Sequence, residues 1–192
     1  MPKGKMKSCN KKSGIIGSSE NNPMHELLRE LKAYLIICAS VYIAFTTVLS
    51  MNFVPSESME PTIHRNHLIV NLRLNYLLGD PVPQRGSVIV FRENSDQKRL
   101  LVKRVIGLPG DLISFSGGHV YCNGEKLHEP YVLKQESSFS AVTEYQVPEE
   151  SIFVLGDNRE NSRDSRFMEG TYVLVENIYA RELFQVPLFI AH

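Results

Sequence analysis

A run of 24 residues without a charged side chain, between Lys32 and Glu57, limits how this 192-residue chain can fold. A helix of about 20 apolar residues crosses a hydrocarbon core of about 30 Å, so the run is long enough to span a bilayer. The alternative is a helix buried in a globular core, but such helices seldom exceed about 20 residues without a charge. The run therefore predicts a transmembrane segment over residues 33–54.

The charges that flank this run indicate its orientation. Residues 1–32 hold seven Lys and Arg against three Glu, a net charge of +4, whereas the remaining residues have a net charge of −4. A basic end of this kind tends to stay in the cytoplasm. A cleaved signal peptide fits less well, because the run exceeds the roughly 7–15 residues of its usual apolar core and has no small-x-small site at its end. We therefore expect a single-pass anchor, with residues 1–32 as a cytoplasmic tail and residues 55–192 outside the cytoplasm.

The composition also argues against several classes of site. The chain has 21 basic and 21 acidic residues, so no overall basic field favours nucleic acid. Three scattered cysteines are too few for a disulfide framework or a thiolate metal site. His64 and His67 lack a third ligand at metal-binding spacing. We expect no metal, no cofactor and no nucleic-acid partner.

Beyond Glu57 the apolar residues follow a period of two, which is typical of strands. Turn signals separate the runs, among them Asn123-Gly124, a favoured two-residue hairpin turn. No stretch after residue 57 has a sustained helical stripe, so the fold class is mostly β, an antiparallel domain that follows one N-terminal helix. The short apolar runs are SVIVF (87–91), LLVKRVI (100–106), DLISF (111–115), HVYCN (119–123), SIFVL (151–155) and TYVLV (171–175).

Two segments of the β-domain carry candidate nucleophiles and a candidate base. In PSESMEPTI (55–63), the prolines favour a stiff, exposed strand or loop, in which Ser56 and Ser58 share one face. A polar linker is the alternative. In LLVKRVIGLPGD (100–111), Lys103 lies in the middle of an apolar strand. Either its amine reaches solvent along a snorkelling stem, or burial lowers its pKa until it becomes a general base.

A third segment, GDNRENSRDSR (156–166), is dense in charge and hydroxyl groups. It can be a solvated loop, or a hydrogen-bonded network that fixes a neighbouring side chain. In chain order, the four motifs S-x-S-M-x-P-T (56–62), R-G-S-V-I-V-F (85–91), K-R-V-I-G-L-P-G-D (103–111) and G-D-N-R-E-N-S-R-D-S-R (156–166) resemble the type I signal peptidase (leader peptidase) family of membrane-bound serine proteases. With the anchor, the resemblance covers nearly the whole chain.

The resemblance implies a role for each matching residue. Ser58 would be the nucleophile, Lys103 the general base, and the Ser58 N–H with the Ser56 hydroxyl the oxyanion hole. Ser162 would hydrogen-bond and orient the Lys103 amine, while Asp164 and Arg166 brace the site. The residues implied to line shallow substrate pockets are Val54, Met59, Ile63, Leu101 and Val102.

The resemblance also implies a twisted antiparallel domain with two sheet regions and an enzyme without a cofactor. Its partners would be the lipid bilayer and the signal peptides of exported preproteins, cut after small residues at −1 and −3. Two other functions stay open, a Ser-Lys protease dedicated to one exported protein and an inactive membrane-tethered binding domain. A Ser-His-acid triad is a further possibility, since the chain has six histidines, but none lies in the four motifs.

Overall fold

The computed structural model describes residues 23–74, 79, 82–132 and 143–188. The lysines at positions 3 to 12 of the predicted tail lie outside these residues. The first element is helix α1, Pro23–Val48. Within the described part of the chain, its residues Met24–Val48 form the one helix long and apolar enough to cross a membrane.

Polar residues in α1 are accommodated by local bonds. The hydroxyls of Ser40, Thr46 and Thr47 donate to carbonyls three or four residues earlier, at 2.8 to 3.1 Å. In the first turns, Arg29 lies 3.8 Å from Glu26. Since hydroxyls bonded to the preceding turn need no other partner, they are compatible with a bilayer interior.

Helix α1 does not have the same bounds as the predicted transmembrane segment, residues 33–54. The helix begins at Pro23, because residues 23–32 are mostly strong helix formers and Pro is favoured in a first turn. It ends at Val48, because Leu49–Val54 form strand β1 and pair with strand β2 at six positions. The pairing satisfies backbone groups that a longer helix would otherwise satisfy internally.

The described residues after α1 form eleven strands in two sheets, and each pairing is antiparallel. The strand order is β1-β2-β11-β3-β4-β9-β10 in the larger sheet and β7-β6-β5-β8 in the smaller one. The strands are β1 Leu49–Val54, β2 His67–Leu72, β3 Val88–Arg92, β4 Leu100–Gly107, β5 Leu112–Ser116, β6 His119–Cys122, β7 Glu125–Lys126, β8 Thr143–Gln146, β9 Ser151–Leu155, β10 Val173–Leu174 and β11 Ile178–Pro187.

This architecture confirms the predicted antiparallel β-domain with two sheet regions. Asn123 and Gly124 have φ angles of 53° and 83°, as the predicted hairpin turn between β6 and β7 requires. The last predicted run is strand only over Val173–Leu174. Strand β11 was not predicted, because its pairing with β2 shifts register between Glu182 and Phe184 and interrupts the period of two.

An apolar cluster beneath the start of the larger sheet positions the chain that follows β1. Met59 and Ile63, from that segment, are 0% and 1% exposed and pack with residues of the sheet. Burying side chains of this size contributes about 1.5–3 kcal/mol each. The cluster therefore holds residues 55–63 against the sheet; its buried members are Val54, Met59, Ile63, Ile69, Val88, Val90 and Ala180.

Candidate active site

Ser58 lies in a turn directly after β1 and is only 6% exposed. The turn is closed by backbone bonds from Glu60 N–H to the Glu57 carbonyl, 3.1 Å, and from Ile63 N–H to the Met59 carbonyl, 2.9 Å. The prediction of an exposed, stiff segment was therefore wrong for Ser58. Because Met59 and Ile63 enter the core, the chain turns inward and carries the serine with it.

Lys103 lies in the middle of β4, opposite Ile89 of β3, and is 4% exposed. Its Nζ is 2.6 Å from Ser58 Oγ and donates to the carbonyl of Val102 at 3.0 Å. The pattern of the strand places Lys103 on the same face as Val105, which is fully buried. The structure therefore brings the two predicted residues into direct contact inside the protein.

Burial lowers the pKa of the Lys103 amine from 10.5 to about 8. Burial is the largest influence, because an ammonium loses its hydration in a low-dielectric surround. Asp164 and Asp157 act in the opposite direction and raise the pKa, while Arg99 lowers it. At neutral pH, a useful fraction of the amine is therefore unprotonated.

Two potential donors lie beside the Ser58 hydroxyl. Ser56 Oγ is 3.3 Å from Ser58 Oγ, although Ser56 itself is exposed. Within the described part of the chain, the Ser58 backbone N–H donates to no protein acceptor. Both groups are thus available to a ligand atom that approaches Ser58.

The segment after β9 packs directly against the Ser58 turn. Asn158 N–H donates to the Ser58 carbonyl at 3.1 Å, and Asn158 Nδ2 donates to the Glu57 carbonyl at 3.2 Å. A Cβ at Gly156 would lie 2.5 Å from the Ser58 carbonyl oxygen. Glycine is therefore required here for the two segments to approach so closely.

Asp164 and Arg166 form a buried, bidentate ion pair. Arg166 Nε and Nη2 lie 2.7 and 2.9 Å from the two carboxylate oxygens of Asp164. Asp164 also accepts the Gly156 N–H at 2.9 Å, and Arg166 donates to the Arg159 carbonyl at 2.8 Å. The pair thus fixes the segment after β9, whose Asn158 N–H donates to the Ser58 carbonyl.

Ser162 does not make the hydrogen bond to Lys103 that the resemblance implied. Its hydroxyl is buried, but it has no hydrogen-bond partner in the described part of the chain, so the predicted bond to Lys103 is absent. The Lys103 amine donates to the Val102 carbonyl instead. Ser162 nevertheless packs against Gly156, since a Cβ on that glycine would overlap the Ser162 side chain.

A second ion pair near the site was not given a role in the sequence analysis. Arg104 Nε and Nη2 lie 2.8 and 2.6 Å from the Asp157 carboxylate, and Asp157 is 1% exposed. Thr62 Oγ1 donates to the same carboxylate at 2.5 Å, and the Arg104 guanidinium lies 4.0 Å from the centre of the Tyr131 ring. Alternation along β4 places Arg104 on the face opposite Lys103, so Arg104 needs a partner of its own there. Asp157, which follows the apolar run of β9, was an available carboxylate.

The residues expected to line substrate pockets fall into two groups. Val54, Met59 and Ile63 are at most 3% exposed and pack in the apolar cluster that holds the Ser58 turn. Leu101 and Val102 are half-buried. Residues 100–103 pair with β3, and among the described strands they have no partner on their other side, since β9 pairs only from Arg104 onward.

Histidine does not substitute for the lysine in the part of the chain that the structure describes. His67 bonds Gln185 through its ring and His64 bonds the same side chain through its backbone, and neither contacts Ser58. The described residues also contain no group of three His, Cys, Asp or Glu side chains that could hold a metal ion. The chemistry available at this site is that of a hydroxyl beside an amine.

Comparison with known proteins identifies the family. The family model described as "Signal peptidase, peptidase S26" matches residues 27–186. The chain is 33% identical to "Signal peptidase I" of Leptolyngbya laminosa over 84% of this chain and 78% of that protein. It is 32% identical to "Signal peptidase I P" of Bacillus subtilis subsp. natto over 88% of this chain and 94% of that protein.

A third relative matches a smaller part. "Probable signal peptidase I-2" of Synechocystis sp. is 38% identical over 64% of this chain, and the chain covers 56% of its length. The family match extends over most of the chain, from α1 to β11. The resemblance inferred from the four motifs is therefore confirmed: the chain belongs to the signal peptidase family, peptidase S26, and is a serine endopeptidase.

Proposed function

We propose that the chain is a membrane-anchored peptidase that removes signal peptides from exported preproteins, with Ser58 as nucleophile and Lys103 as general base. The observation that carries the proposal is the 2.6 Å contact between a buried amine and a buried hydroxyl. A serine hydroxyl needs a base within hydrogen-bond reach, and a base is most effective when its pKa lies near the working pH.

The reaction begins when neutral Lys103 accepts the Ser58 proton as Ser58 Oγ attacks the scissile carbonyl. The Ser58 N–H and the Ser56 hydroxyl donate to the resulting oxyanion, and each donor contributes about 3 kcal/mol in the transition state. The Lys103 ammonium then gives its proton to the leaving amine. A water molecule, deprotonated by the same amine, hydrolyses the acyl-enzyme and restores Ser58.

Substrate binding would use the unpaired edge of β4. An extended peptide can add to a free strand edge through its backbone, while its alternate side chains enter pockets. Among the described strands, residues 100–103 offer such an edge, which includes Lys103 itself. Leu101 and Val102 present apolar side chains there. Because Met59 and Ile63 fill the space below Ser58, pockets on this floor are shallow. Shallow pockets favour alanine-sized residues at −1 and −3.

Cleavage of a preprotein by the purified full-length chain in detergent micelles tests the assignment. We expect Ser58→Ala and Lys103→Ala to lower kcat/KM by at least about 1,000-fold. Ser116→Ala and Lys126→Ala are matched controls, because both residues are exposed on the smaller sheet. Equal loss in the controls, or cleavage by either site variant at the wild-type rate, would overturn the roles proposed for the two residues.

The same assay tests specificity. A preprotein with Ala at −1 and −3 should be cut after the −1 residue, and Leu at −1 should prevent cleavage. Cleavage of several unrelated preproteins distinguishes a general signal peptidase from a protease dedicated to one exported protein. If no preprotein is cut by a folded wild-type enzyme, the proposal fails in favour of an inactive binding domain.

A further inference from the structure

Two arginines of the larger sheet lie over the same tyrosine ring, away from the Ser58–Lys103 contact. The guanidinium carbons of Arg73 and Arg92 are 4.5 and 5.6 Å from the centre of the Tyr179 ring. Arg73 directly follows β2, Arg92 ends β3, and Tyr179 lies on β11, which pairs with both of those strands. The topology therefore places two cations and an aromatic ring together.

Neither guanidinium has a carboxylate within 4.0 Å in the part of the chain that the structure describes. By contrast, Arg104, Arg159 and Arg166 each pair with one. The Nε of Arg73 is buried and has no hydrogen-bond partner. Since a buried donor without an acceptor is costly, this group can accommodate an acceptor that the described part of the chain does not supply.

The arginines adjoin a cavity of about 260 Å³ that can hold such an acceptor. Its lining also includes Gln97, Glu176 and Asn177, of which Glu176 carries a negative charge but lies beyond ion-pair distance of both guanidinium groups. Guanidinium groups bind phosphate oxygens through two parallel N–H bonds, and a phosphate would relieve the repulsion between two neighbouring cations. The two guanidinium groups are therefore suited to bind a phosphate monoester or diester from outside the protein.

The site lies at the level where α1 ends. The backbone N–H of Arg73 donates to the carbonyl of Val48, the last residue of α1, at 2.8 Å. If α1 spans a bilayer, its end lies among the lipid headgroups, where Tyr side chains such as that of Tyr179 are enriched. The adjoining strand β1 keeps Met51 and Phe53 60% and 49% exposed, as suits a surface in contact with lipid.

We propose that Arg73, Arg92 and Tyr179 form a binding site for the phosphate of an anionic phospholipid headgroup. The inference rests on the proposal that α1 is embedded in the membrane, and it is independent of the catalytic roles of Ser58 and Lys103. The bound headgroup would fix the β-domain at one height on the bilayer surface. The shared ligand chemistry is a phosphate, so the test must separate lipid from inorganic phosphate.

Native mass spectrometry of the full-length Ser58→Ala protein, released from nanodiscs of equal phosphatidylglycerol and phosphatidylcholine, measures headgroup preference. We expect the Ser58→Ala protein with both arginines intact to retain phosphatidylglycerol in preference to phosphatidylcholine. Adding Arg73→Gln and Arg92→Gln should reduce this preference about fivefold for each arginine removed. Arg65→Gln with Lys126→Gln is the matched control, because it removes two exposed cations elsewhere. Tyr179→Phe should keep the preference and Tyr179→Ala should weaken it.

Three outcomes would overturn the proposal. They are an unchanged preference in the Arg73/Arg92 variant, an equal loss in the control pair, and full displacement of the lipid by about 10 mM inorganic phosphate at a constant ionic strength of about 0.15 M, the physiological value. The last outcome would assign the site to a soluble phosphate. Failure of the chain to float with the lipid would instead refute the membrane anchor. Preprotein cleavage by the same arginine substitutions with Ser58 restored verifies that the variants are folded.

Discussion

The pKa of the Lys103 amine is lowered by burial and raised by two carboxylates. Asp164 and Asp157 both raise its pKa, yet burial outweighs them and leaves the pKa at about 8. Each carboxylate is held in a bidentate pair, Asp164 with Arg166 and Asp157 with Arg104. The two arginines therefore offset anions that would otherwise stabilise the ammonium, and they help to keep the lysine usable as a base.

The first prediction concerns the pH dependence of cleavage. Only neutral Lys103 can accept the Ser58 proton, so kcat/KM should rise with pH and level off above the lysine pKa of about 8. At pH 6 about one amine in a hundred is neutral, and at pH 7 about one in ten. Cleavage of a preprotein between pH 5 and 9.5 measures the midpoint. A rate that stays flat, or falls, across this range would contradict the role of the lysine.

Replacing Asp164 should shift this midpoint. Asp164→Asn removes the larger of the two anionic influences that raise the Lys103 pKa, and it also removes the negative charge that offsets the Arg166 guanidinium; both changes disfavour the ammonium. We expect the midpoint of the pH profile to fall by about one unit, together with some loss of stability. Asp96→Asn is the control, because Asp96 is exposed in the turn between β3 and β4. A midpoint that rises in Asp164→Asn would show that the electrostatic account is wrong.

The elements that build the site are distant in the chain and are joined by polar contacts. Arg104 lies on β4, Asp157 follows β9, and Thr62 lies in the turn after β1. Their shared contacts connect the strand that carries the lysine with the turn that carries the serine. The sequence predicted β4 and β9 from their alternating or apolar runs, and it predicted that Ser58 meets Lys103 by resemblance.

Other features at this scale were beyond the sequence. The turn at Ser58 depends on Met59 and Ile63 entering a core built from β1, β2, β3 and β11, and no local pattern shows which face of a proline-rich segment is buried. The Lys103 amine donates to the Val102 carbonyl rather than to Ser162. Which of the two lies within bonding distance is set by tertiary packing, which overrides local propensity.

Removing the carboxylate of the Arg104–Asp157 pair should destabilise the β-domain. Asp157→Ala leaves the 11%-exposed Arg104 side chain without its partner, and breaking a buried pair in this way costs about 3–5 kcal/mol of unfolding free energy. Glu57→Ala is a matched control from the same region, because its pair with Arg65 is about half exposed and is worth at most about 1 kcal/mol. Urea unfolding in detergent micelles measures both. Equal losses in the two variants would show that burial of the first pair contributes nothing.

At the scale of the whole molecule, the described residues combine one apolar α-helix with a domain whose regular structure is mostly strand. The helix is exposed from Met24 to Thr47, and none of its candidate span is buried in the protein. Composition predicted this division because a long uncharged run is a strong signal. It did not predict that Leu49–Val54, near the end of the run, leave the helix and become β1, since pairing with β2 is a long-range interaction.

Orientation is the property of the whole chain that its charge distribution predicts most directly. Seven Lys and Arg precede residue 33, and transferring them across a bilayer is unfavourable, so the tail should stay in the cytoplasm. Cysteine labelling of intact cells tests this, because Cys9 lies in the tail while Cys122 is buried and thus unreactive. In a Cys38→Ala protein, a membrane-impermeant maleimide should label Cys9 only after the cells are permeabilised.

In a second protein, with Cys9→Ala, Cys38→Ala and Ser116→Cys, the reagent should label the substituted position 116 without permeabilisation, since that position is exposed on β5. The protein with Cys9→Ala and Cys38→Ala alone is the control and should take up no label. Labelling of Cys9 in intact cells, with position 116 protected, would reverse the orientation. It would place Ser58 in the cytoplasm, where a signal peptide has not yet crossed the membrane, and the serine and lysine would then have to act on a different substrate.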